Sequence, residues 1–205
     1  MITTIIFDLG GVLIDWNPKY LYKNIFDNEQ EMEDFLSTVC TPDWNEEQDA
    51  GRSIKEATET LVRQYPQHEE NIKAYYTRWP EMLAGPIEGT VEILDRLKQF
   101  SGYKLYALTN WSTETFPIAK ERYPFLNWFD GIVVSGEEKM RKPNPRFYKL
   151  LLERYGVKAG EALFIDDNKR NVDAARNLGI DSIVFTTPKE LMTELTRRNV
   201  VLNQQ

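Results

Sequence analysis

One cysteine, Cys40, and one histidine, His68, occur in 205 residues. A single Cys closes no internal disulfide, and one Cys with one His cannot build a Cys/His zinc cage. A Ser-His-Asp triad would have to use His68. That residue sits in the polar stretch Gln67-His68-Glu69-Glu70, with no nucleophile motif beside it, and reads as a solvated residue at a helix start. Any metal must therefore be held by oxygen. Long apolar runs are missing too: nothing approaches the ~18 residues of a membrane-spanning helix, and no charged segment leads into an apolar signal region. Basic residues number 25 against 32 acidic ones, a net charge of -7. That balance argues against a nucleic-acid-binding face, and a phosphate site would need its own local cations. The expectation is a cytoplasmic protein, a monomer or weak homodimer, with neither nucleic acid nor membrane as partner.

What is present suffices for a core. Hydrophobic residues make up 41% and aromatics 12%, enough for one domain carrying a modest insert. Thr3 to Phe7 is a short β-rich run stopped by Asp8-Leu9-Gly10-Gly11, and Tyr103 to Leu108, Gly131 to Val134, Ala162 to Ile165 and Ser182 to Phe185 look alike. Helical spacing lies between them, in Ile93, Leu94, Leu97 and Phe100 and in Tyr148, Leu151, Leu152 and Tyr155, the latter closed by Gly156. Thr187-Pro188-Lys189-Glu190 opens the last helix with a capping box. Alternation of strand and helix implies an α/β fold, a doubly wound and mostly parallel sheet.

Between Asp15 and Gly85 no good strand is visible. Asn17-Pro18 starts a helix, Ser53 to Glu56 makes a second capping box, and helical spacing runs through Ile54, Ala57, Leu61, Val62 and Tyr65 and then Ile72, Tyr75, Tyr76 and Trp79. The reading is a discontinuous core, residues 1–15 and 85–205, with residues 16–84 inserted as an all-α helical cap over the sheet's carboxyl edge. Trp16, Trp44, Asn45, Glu47 and Gln48 are the candidates for facing the site from the cap. Trp16 and Trp44 have the alternative of packing between cap and core. Trp111 is placed either to touch substrate or to wedge against the cap.

Ligands of open α/β sheets sit beyond the carboxyl ends of the strands. There the sequence puts Asp8, then Thr109-Asn110, then Lys142-Pro143, then Asp166-Asp167-Asn168. One carboxylate plus an acidic pair suits Mg²⁺, which takes hard oxygen ligands and a substrate phosphate. A lysine neutralises phosphate as a point charge, and Asp is a competent covalent nucleophile. A two-component receiver domain uses the same inventory in another order, with its acidic pair first and its phosphorylated Asp later.

Phe7-Asp8-Leu9-Gly10-Gly11-Val12, Leu108-Thr109-Asn110, Lys142-Pro143-Asn144-Pro145 and Phe164-Ile165-Asp166-Asp167-Asn168 resemble the four ordered motifs of the haloacid dehalogenase superfamily. The resemblance covers essentially the whole chain and includes the helical cap after the first motif. Within the superfamily the chain looks most like the α-D-glucose-1-phosphate phosphatase branch. It implies a Rossmann-like core and a Mg²⁺-dependent phosphatase acting on a small phosphorylated metabolite, a sugar phosphate first of all. Asp8 would be nucleophile and metal ligand. Thr109 would bond the phosphoryl group through its hydroxyl and Asn110 through its backbone N–H, while Lys142 neutralises that group and orients Asp8. Asp167 would be a direct metal ligand, Asp166 a direct or water-mediated one, Gly10 a ligand through its carbonyl, and Asn171 a support.

One position departs from the pattern. Most phosphatases of the superfamily carry an acid/base Asp two residues after the nucleophile, where this chain has Gly10. Such a group is typically worth about 10²–10⁴-fold in rate. The enzyme would then favour leaving groups needing little protonation, such as an anomeric oxygen, or a cap residue or water would substitute, or catalysis would be weak. Two other functions stay open. A 2-haloacid dehalogenase also lacks the second Asp, but it needs no metal, and without a bound cation Asp166-Asp167 would be unpaired negative charge beside the nucleophile. A non-catalytic binding or regulatory protein on the same scaffold would have no need of Asp8, Thr109, Lys142 and Asp167 together.

Overall fold

The computed structural model describes residues 1–100 and 102–202. In chain order the elements are β1 (Thr4–Phe7), β2 (Ile14–Trp16), α1 (Lys19–Tyr22), α2 (Glu29–Thr38), α3 (Pro42–Asp49), α4 (Ile54–Gln64), α5 (Glu69–Thr77), β3 (Leu83–Pro86) and α6 (Glu88–Phe100). There follow β4 (Lys104–Thr109), α7 (Phe116–Arg122), β5 (Gly131–Val134), α8 (Ser135–Glu138), α9 (Pro145–Tyr155), β6 (Ala162–Asp166), α10 (Lys169–Arg176), β7 (Asp181–Val184) and α11 (Pro188–Arg197). The five expected strands are all present, displaced by at most a residue at either end.

These five form one parallel sheet in the order β5-β4-β1-β6-β7. Successive side chains of a strand face opposite sides, and the core divides accordingly. Ile5, Phe7, Leu105, Ala107, Leu163 and Ile165 pack on one side with α6 and α11. Ile6, Tyr106, Leu108 and Phe164 pack on the other with Phe147, Tyr148 and Leu151 of α9 and Ala175 of α10. Helices therefore cover both faces of the doubly wound sheet. The chain builds from β1 outward to β4 and β5, then returns to the other side of β1 for β6 and β7. The reversal leaves a crevice at the carboxyl ends of β1, β4 and β6, the position where such sheets bind ligands.

The local signals hold where chemistry fixes them. Gly156 closes α9 at φ 65°, a left-handed conformation that suits glycine. Ser53 and Thr187 accept the backbone N–H of Glu56 and Glu190 at the starts of α4 and α11, contacts worth about 1 kcal/mol each.

The segment read as strandless does contain strand at both ends. β2 and β3 pair antiparallel as a separate two-stranded ribbon, with Asp15 opposite Gly85 and Trp16 opposite Leu83. The expected joins at residues 15/16 and 84/85 thus fall inside this ribbon. Neither Ile14-Asp15-Trp16 nor Leu83-Ala84-Gly85-Pro86 is a β-rich apolar run of the kind that marks β1 and β5, which is why the sequence pattern missed them. Residues 17–82 carry α1–α5 and short 3-10 turns. Their interior is aromatic: Tyr22 lies 5.1 Å from Phe35, and Trp44 lies 5.1 Å from Tyr75 and 5.5 Å from Tyr76 between ring centres.

Candidate active site

β1 delivers Asp8 to the crevice as its next residue, and the ladder extends to it, since the Asp8 N–H donates to the Ile165 carbonyl at 2.8 Å. β4 and β6 deliver their own last residues, Thr109 and Asp166. Lys142 arrives from the loop between α8 and α9. Its ammonium is fully buried, 2.9 Å from Asp8 Oδ1 and 2.7 Å from Asp166 Oδ2, and stands 5.6 Å from the centre of the Phe164 ring. Asn110 fixes that loop by a reciprocal pair: its Oδ1 accepts the Lys142 N–H at 2.8 Å and its Nδ2 donates to the Lys142 carbonyl at 3.0 Å. The side chain of Asn110 therefore sets the lysine's backbone, a role beyond the N–H expected of it.

The two aspartates after β6 are held differently. Asp166 Oδ1 accepts from the Asn168 N–H at 2.8 Å, and the Asn171 amide donates to both oxygens of Asp166 at 3.1 Å. Asp167 is exposed at residue level, with its carboxylate close against the Gly11 backbone. Gly11 has φ +74°, and a Cβ there would lie 2.3 Å from Asp167 Oδ2. Conformation and space both demand glycine at that position. Gly10 is different: among the described residues nothing lies within 4 Å of a Cβ built on it, and it is not among the positive-φ residues.

Asp8, Asp166 and Asp167 each offer a ligand atom within 4.8 Å of the others. Three carboxylates against the one ammonium of Lys142 leave two uncompensated negative charges, the charge of one divalent cation. Burial pushes the Asp8 carboxyl well up, helped by Asp166 and Asp167 and opposed by Lys142. Burial and then Asp166 raise Asp167. Burial alone would lower Lys142, but the Asp166 and Asp8 charges outweigh it and the net shift is upward. A divalent cation among these carboxylates would reverse the upward shifts and leave Asp8 ionised. Oxygen ligands, charge deficit and spacing all fit Mg²⁺. Thr109 Oγ1 is buried with no hydrogen-bond partner among the described residues, an arrangement that calls for a ligand atom or water.

A cavity of about 540 Å³ opens over this cluster, bounded by Asp8, Gly10, Gly11, Asn110 and Asp167 on one side and by residues of α1, α2, α3 and α5 on the other. A smaller recess of about 60 Å³ adjoins it and shares Gly10, Trp16, Asn45, Asp49 and Asn110 with it. Trp16 and Asn45 line both hollows. Three candidates need correction. Glu47 is exposed and lines neither hollow. Gln48 is buried, its amide donating to the Trp44 carbonyl and the Tyr76 hydroxyl at 2.8 and 2.9 Å. Trp44 packs inside the helical segment against Tyr75 and Tyr76. On a helix only one side can face the cavity, and α3 turns Asn45, Glu46 and Asp49 to it. Trp111 is buried edge-on to Trp79 at 5.7 Å, with its indole N–H on Thr115 Oγ1, and lines the small recess. It wedges against the inserted segment.

Sequence reasoning missed three residues. Glu46 bridges α3 to the core through Arg141 at 2.7 Å and Arg170 at 2.8 Å. Ser135 accepts the Trp111 N–H and donates to the Asp49 carbonyl. Asp49 itself is half-buried, and burial, with Glu46 beside it, pushes its carboxyl up to about 7 against Arg141, the Ser112 N–H and Lys142. A single acidic residue in an acidic helix gives no sequence signal of that kind. The shift has a consequence for stability. The folded chain holds the Asp49 proton up to about pH 7, whereas the unfolded chain releases it near the ordinary 3.8. Folding stability from this group is therefore complete below the unfolded value and is lost as pH rises toward 7. In metal-free buffer Asp49→Asn is expected to gain thermal stability relative to the parent between pH 4 and 8. Parallel melting-temperature curves for the two proteins would contradict it.

The haloacid dehalogenase-like hydrolase family model matches residues 5–185. The chain belongs to that family. Among curated relatives, the sesquiterpene phosphatase astK of Aspergillus oryzae is 29% identical over 190 residues, covering 93% of each chain. The pyrophosphatase PpaX of Bacillus velezensis is 28% identical over 188 residues, 87% of this chain and 80% of its own. A HAD-like family hydrolase from Porphyromonas gingivalis superposes with a TM-score of 0.74 at 23% identity, over the full length of both chains.

Proposed function

We propose that this haloacid dehalogenase-family chain is a Mg²⁺-dependent phosphatase of a small phosphorylated metabolite, working through an aspartyl phosphate on Asp8. One observation carries the reading: three clustered carboxylates with a charge deficit of two stand beside a buried lysine and an unpartnered buried hydroxyl. Asp8, Asp166, Asp167 and the Gly10 carbonyl would hold Mg²⁺, which when bound withdraws electrons from phosphoryl oxygens and screens the carboxylates. Leu9 N–H and Lys142 both bind Asp8 Oδ1, so Oδ2 is left for attack on phosphorus. Lys142, Thr109 Oγ1 and the Asn110 N–H then meet the charge that develops on the transferring group. Helices α1–α5 act as a cap that closes over the substrate and selects it.

The acidic pair favours this over a dehalogenase, which has no use for two further carboxylates beside its nucleophile. The Asp8–Lys142–Asp166 constellation favours it over a non-catalytic scaffold. For the substrate, Asn45, Ser37, Glu33 and Lys19 on the cavity wall supply the donors and acceptors a sugar's hydroxyls need, and Trp16 a face to lie on. A second reading rests on Leu36, Cys40, Pro42 and Tyr75 of the same wall, which would suit a phosphate ester with an apolar tail. It agrees with the relative named as a sesquiterpene phosphatase. Phosphate release from sugar phosphates, nucleotides, phosphoglycolate and a prenyl phosphate, with Mg²⁺ and with chelator, tests all of this. Activity surviving the chelator would sink the metal reading.

Asp167→Ala is expected to weaken Mg²⁺ binding more than Asn171→Ala. The first removes a charged ligand. The second removes an amide that only steadies Asp166, an effect of about 10–100-fold on metal affinity. Isothermal titration of Mg²⁺ into both variants measures the difference, and equal losses would mean the motif is misassigned.

A further inference from the structure

We propose that Asp49 of α3 is the general acid and base of this site, supplying from the inserted helices the carboxyl that Gly10 lacks. The inference rests on the phosphatase reading above and goes beyond it by naming the proton donor.

The geometry is specific. Asp49 and Gly10 border the same two hollows, together with Asn110 and Trp16, so residue 49 shares the space that a side chain at residue 10 would enter. Its place is fixed from three directions. The Ser112 N–H bonds the carboxylate, Ser135 Oγ donates to the Asp49 carbonyl, and Glu46 one turn earlier ties α3 to Arg141 and Arg170. These contacts fix an ionisable group on the wall of the cavity that Asp8 also lines, although a helix end of this kind could have been packed with apolar side chains.

The charged and titratable groups around Asp49 come from three elements. Glu46 of its own helix favours the protonated form. Arg141 and Lys142, from the loop after α8, favour the ionised one. Tyr75 and Tyr76 of α5 feel the Asp49 charge and stay protonated, their own hydroxyls raised chiefly by burial. The balance leaves both forms of Asp49 populated near neutrality, which suits a group that must give a proton and then take one.

In the first half-reaction Asp8 Oδ2 bonds to phosphorus, and the bond from phosphorus to the leaving oxygen breaks. That oxygen keeps the electron pair and receives the Asp49 proton, so the alcohol departs neutral. In the second half the Asp49 carboxylate takes a proton from water as the water oxygen bonds to phosphorus. The bond from phosphorus to Asp8 breaks, Asp8 regains its carboxylate, and inorganic phosphate leaves.

The test compares parent, Asp49→Asn, Gly10→Asp and the double variant on an aryl phosphate and on an alkyl phosphate, with Mg²⁺, across pH 5–9. Asp49→Asn should lose about 10²–10⁴-fold in kcat/KM on the alkyl ester and far less on the aryl ester, whose leaving group needs no proton. The fall in the parent's kcat/KM above about pH 7 should vanish with it. Adding Gly10→Asp, which has room for its Cβ, should restore much of the alkyl turnover. Gly10→Asp alone should change the aryl-to-alkyl ratio by less than about threefold, because a donor is already present. That arm needs no substitution at Asp49. Equal losses on both esters, an unchanged pH limb, or a large gain from Gly10→Asp alone would overturn the assignment of Asp49. It would leave the phosphatase intact so long as the parent turns over and Asp8→Asn does not. A parent that releases phosphate from neither ester would overturn both readings.

Discussion

Asp8→Asn is expected to reduce phosphate release by about 10⁴-fold or more, while the protein folds at least as stably as the parent in metal-free buffer. The amide fills the volume of the carboxylate but has no anionic oxygen to attack phosphorus. Its Oδ1 can still accept the Leu9 N–H and face the Lys142 ammonium, which keeps its second partner, Asp166, at 2.7 Å. The sign of the stability change follows from the charges. Burial and the charges of Asp166 and Asp167 disfavour the Asp8 carboxylate, so removing it relieves repulsion in a site that has no cation. Added Mg²⁺ should then raise the parent's melting temperature more than the variant's, because the variant has lost one ligand. Acid-quenched parent should carry phosphate on Asp8 during turnover, and the variant should carry none. Steady-state release by a pure Asp8→Asn protein would remove Asp8 from the centre of the mechanism, and a variant that fails to fold would overturn the sign of the stability change.

The parts of this site that could be read in the sequence were those fixed by backbone topology. A parallel sheet sends all its strand ends to one edge, so once Thr4–Phe7, Lys104–Thr109 and Ala162–Asp166 are strands, Asp8, Thr109 and Asp166 must converge. Gly156, Ser53 and Thr187 were legible because a cap is local chemistry. The β2–β3 ribbon was not, since an aspartate interrupts Ile14-Asp15-Trp16 and a Gly-Pro pair ends Leu83-Ala84-Gly85-Pro86. The faces of α3 were not legible either. Its first turn begins after the Thr41 cap, and nothing in Trp44-Asn45-Glu46-Glu47-Gln48-Asp49 says which side meets the core until Glu46 finds Arg141 and Arg170. The aromatic and amide residues that look like ligand contacts, Trp44 and Gln48, went into the interior of the inserted segment. The plain carboxylates, Glu46 and Asp49, went to the cavity. Long-range charge partners decided this, and they lie nearly a hundred residues or more away in the chain.

Lys142→Met is expected to damage both stability and catalysis, and Lys142→Arg is expected not to repair either. Lys142 is the only cation in direct contact with Asp8 and Asp166 among the described residues, and its side chain is completely buried. Removing one partner of a buried ion pair strands the other, at a cost of about 3–5 kcal/mol. Here two carboxylates are stranded, one of them fully buried. Methionine keeps the length and the contact with Phe164 but brings no charge. Part of the loss should return with Mg²⁺, since a bound cation compensates the same carboxylates and stabilises the folded chain by mass action. The Mg²⁺-dependent rise in melting temperature should therefore be larger in Lys142→Met than in the parent. Turnover should still fall by about 10²–10³-fold with Mg²⁺ saturating, because the charge that meets the transferring phosphoryl group is gone. Arginine restores the charge, but it delivers a planar fork where the site holds a compact ammonium 2.9 and 2.7 Å from two oxygens on different strands. Pressed into that volume, the larger head must displace Asp8, and activity should remain near that of Lys142→Met. Melting curves with and without Mg²⁺, together with kcat for the three proteins, separate these effects. An Arg variant with parental turnover would show that only the charge at this position matters and that the tight fit around the ammonium does not.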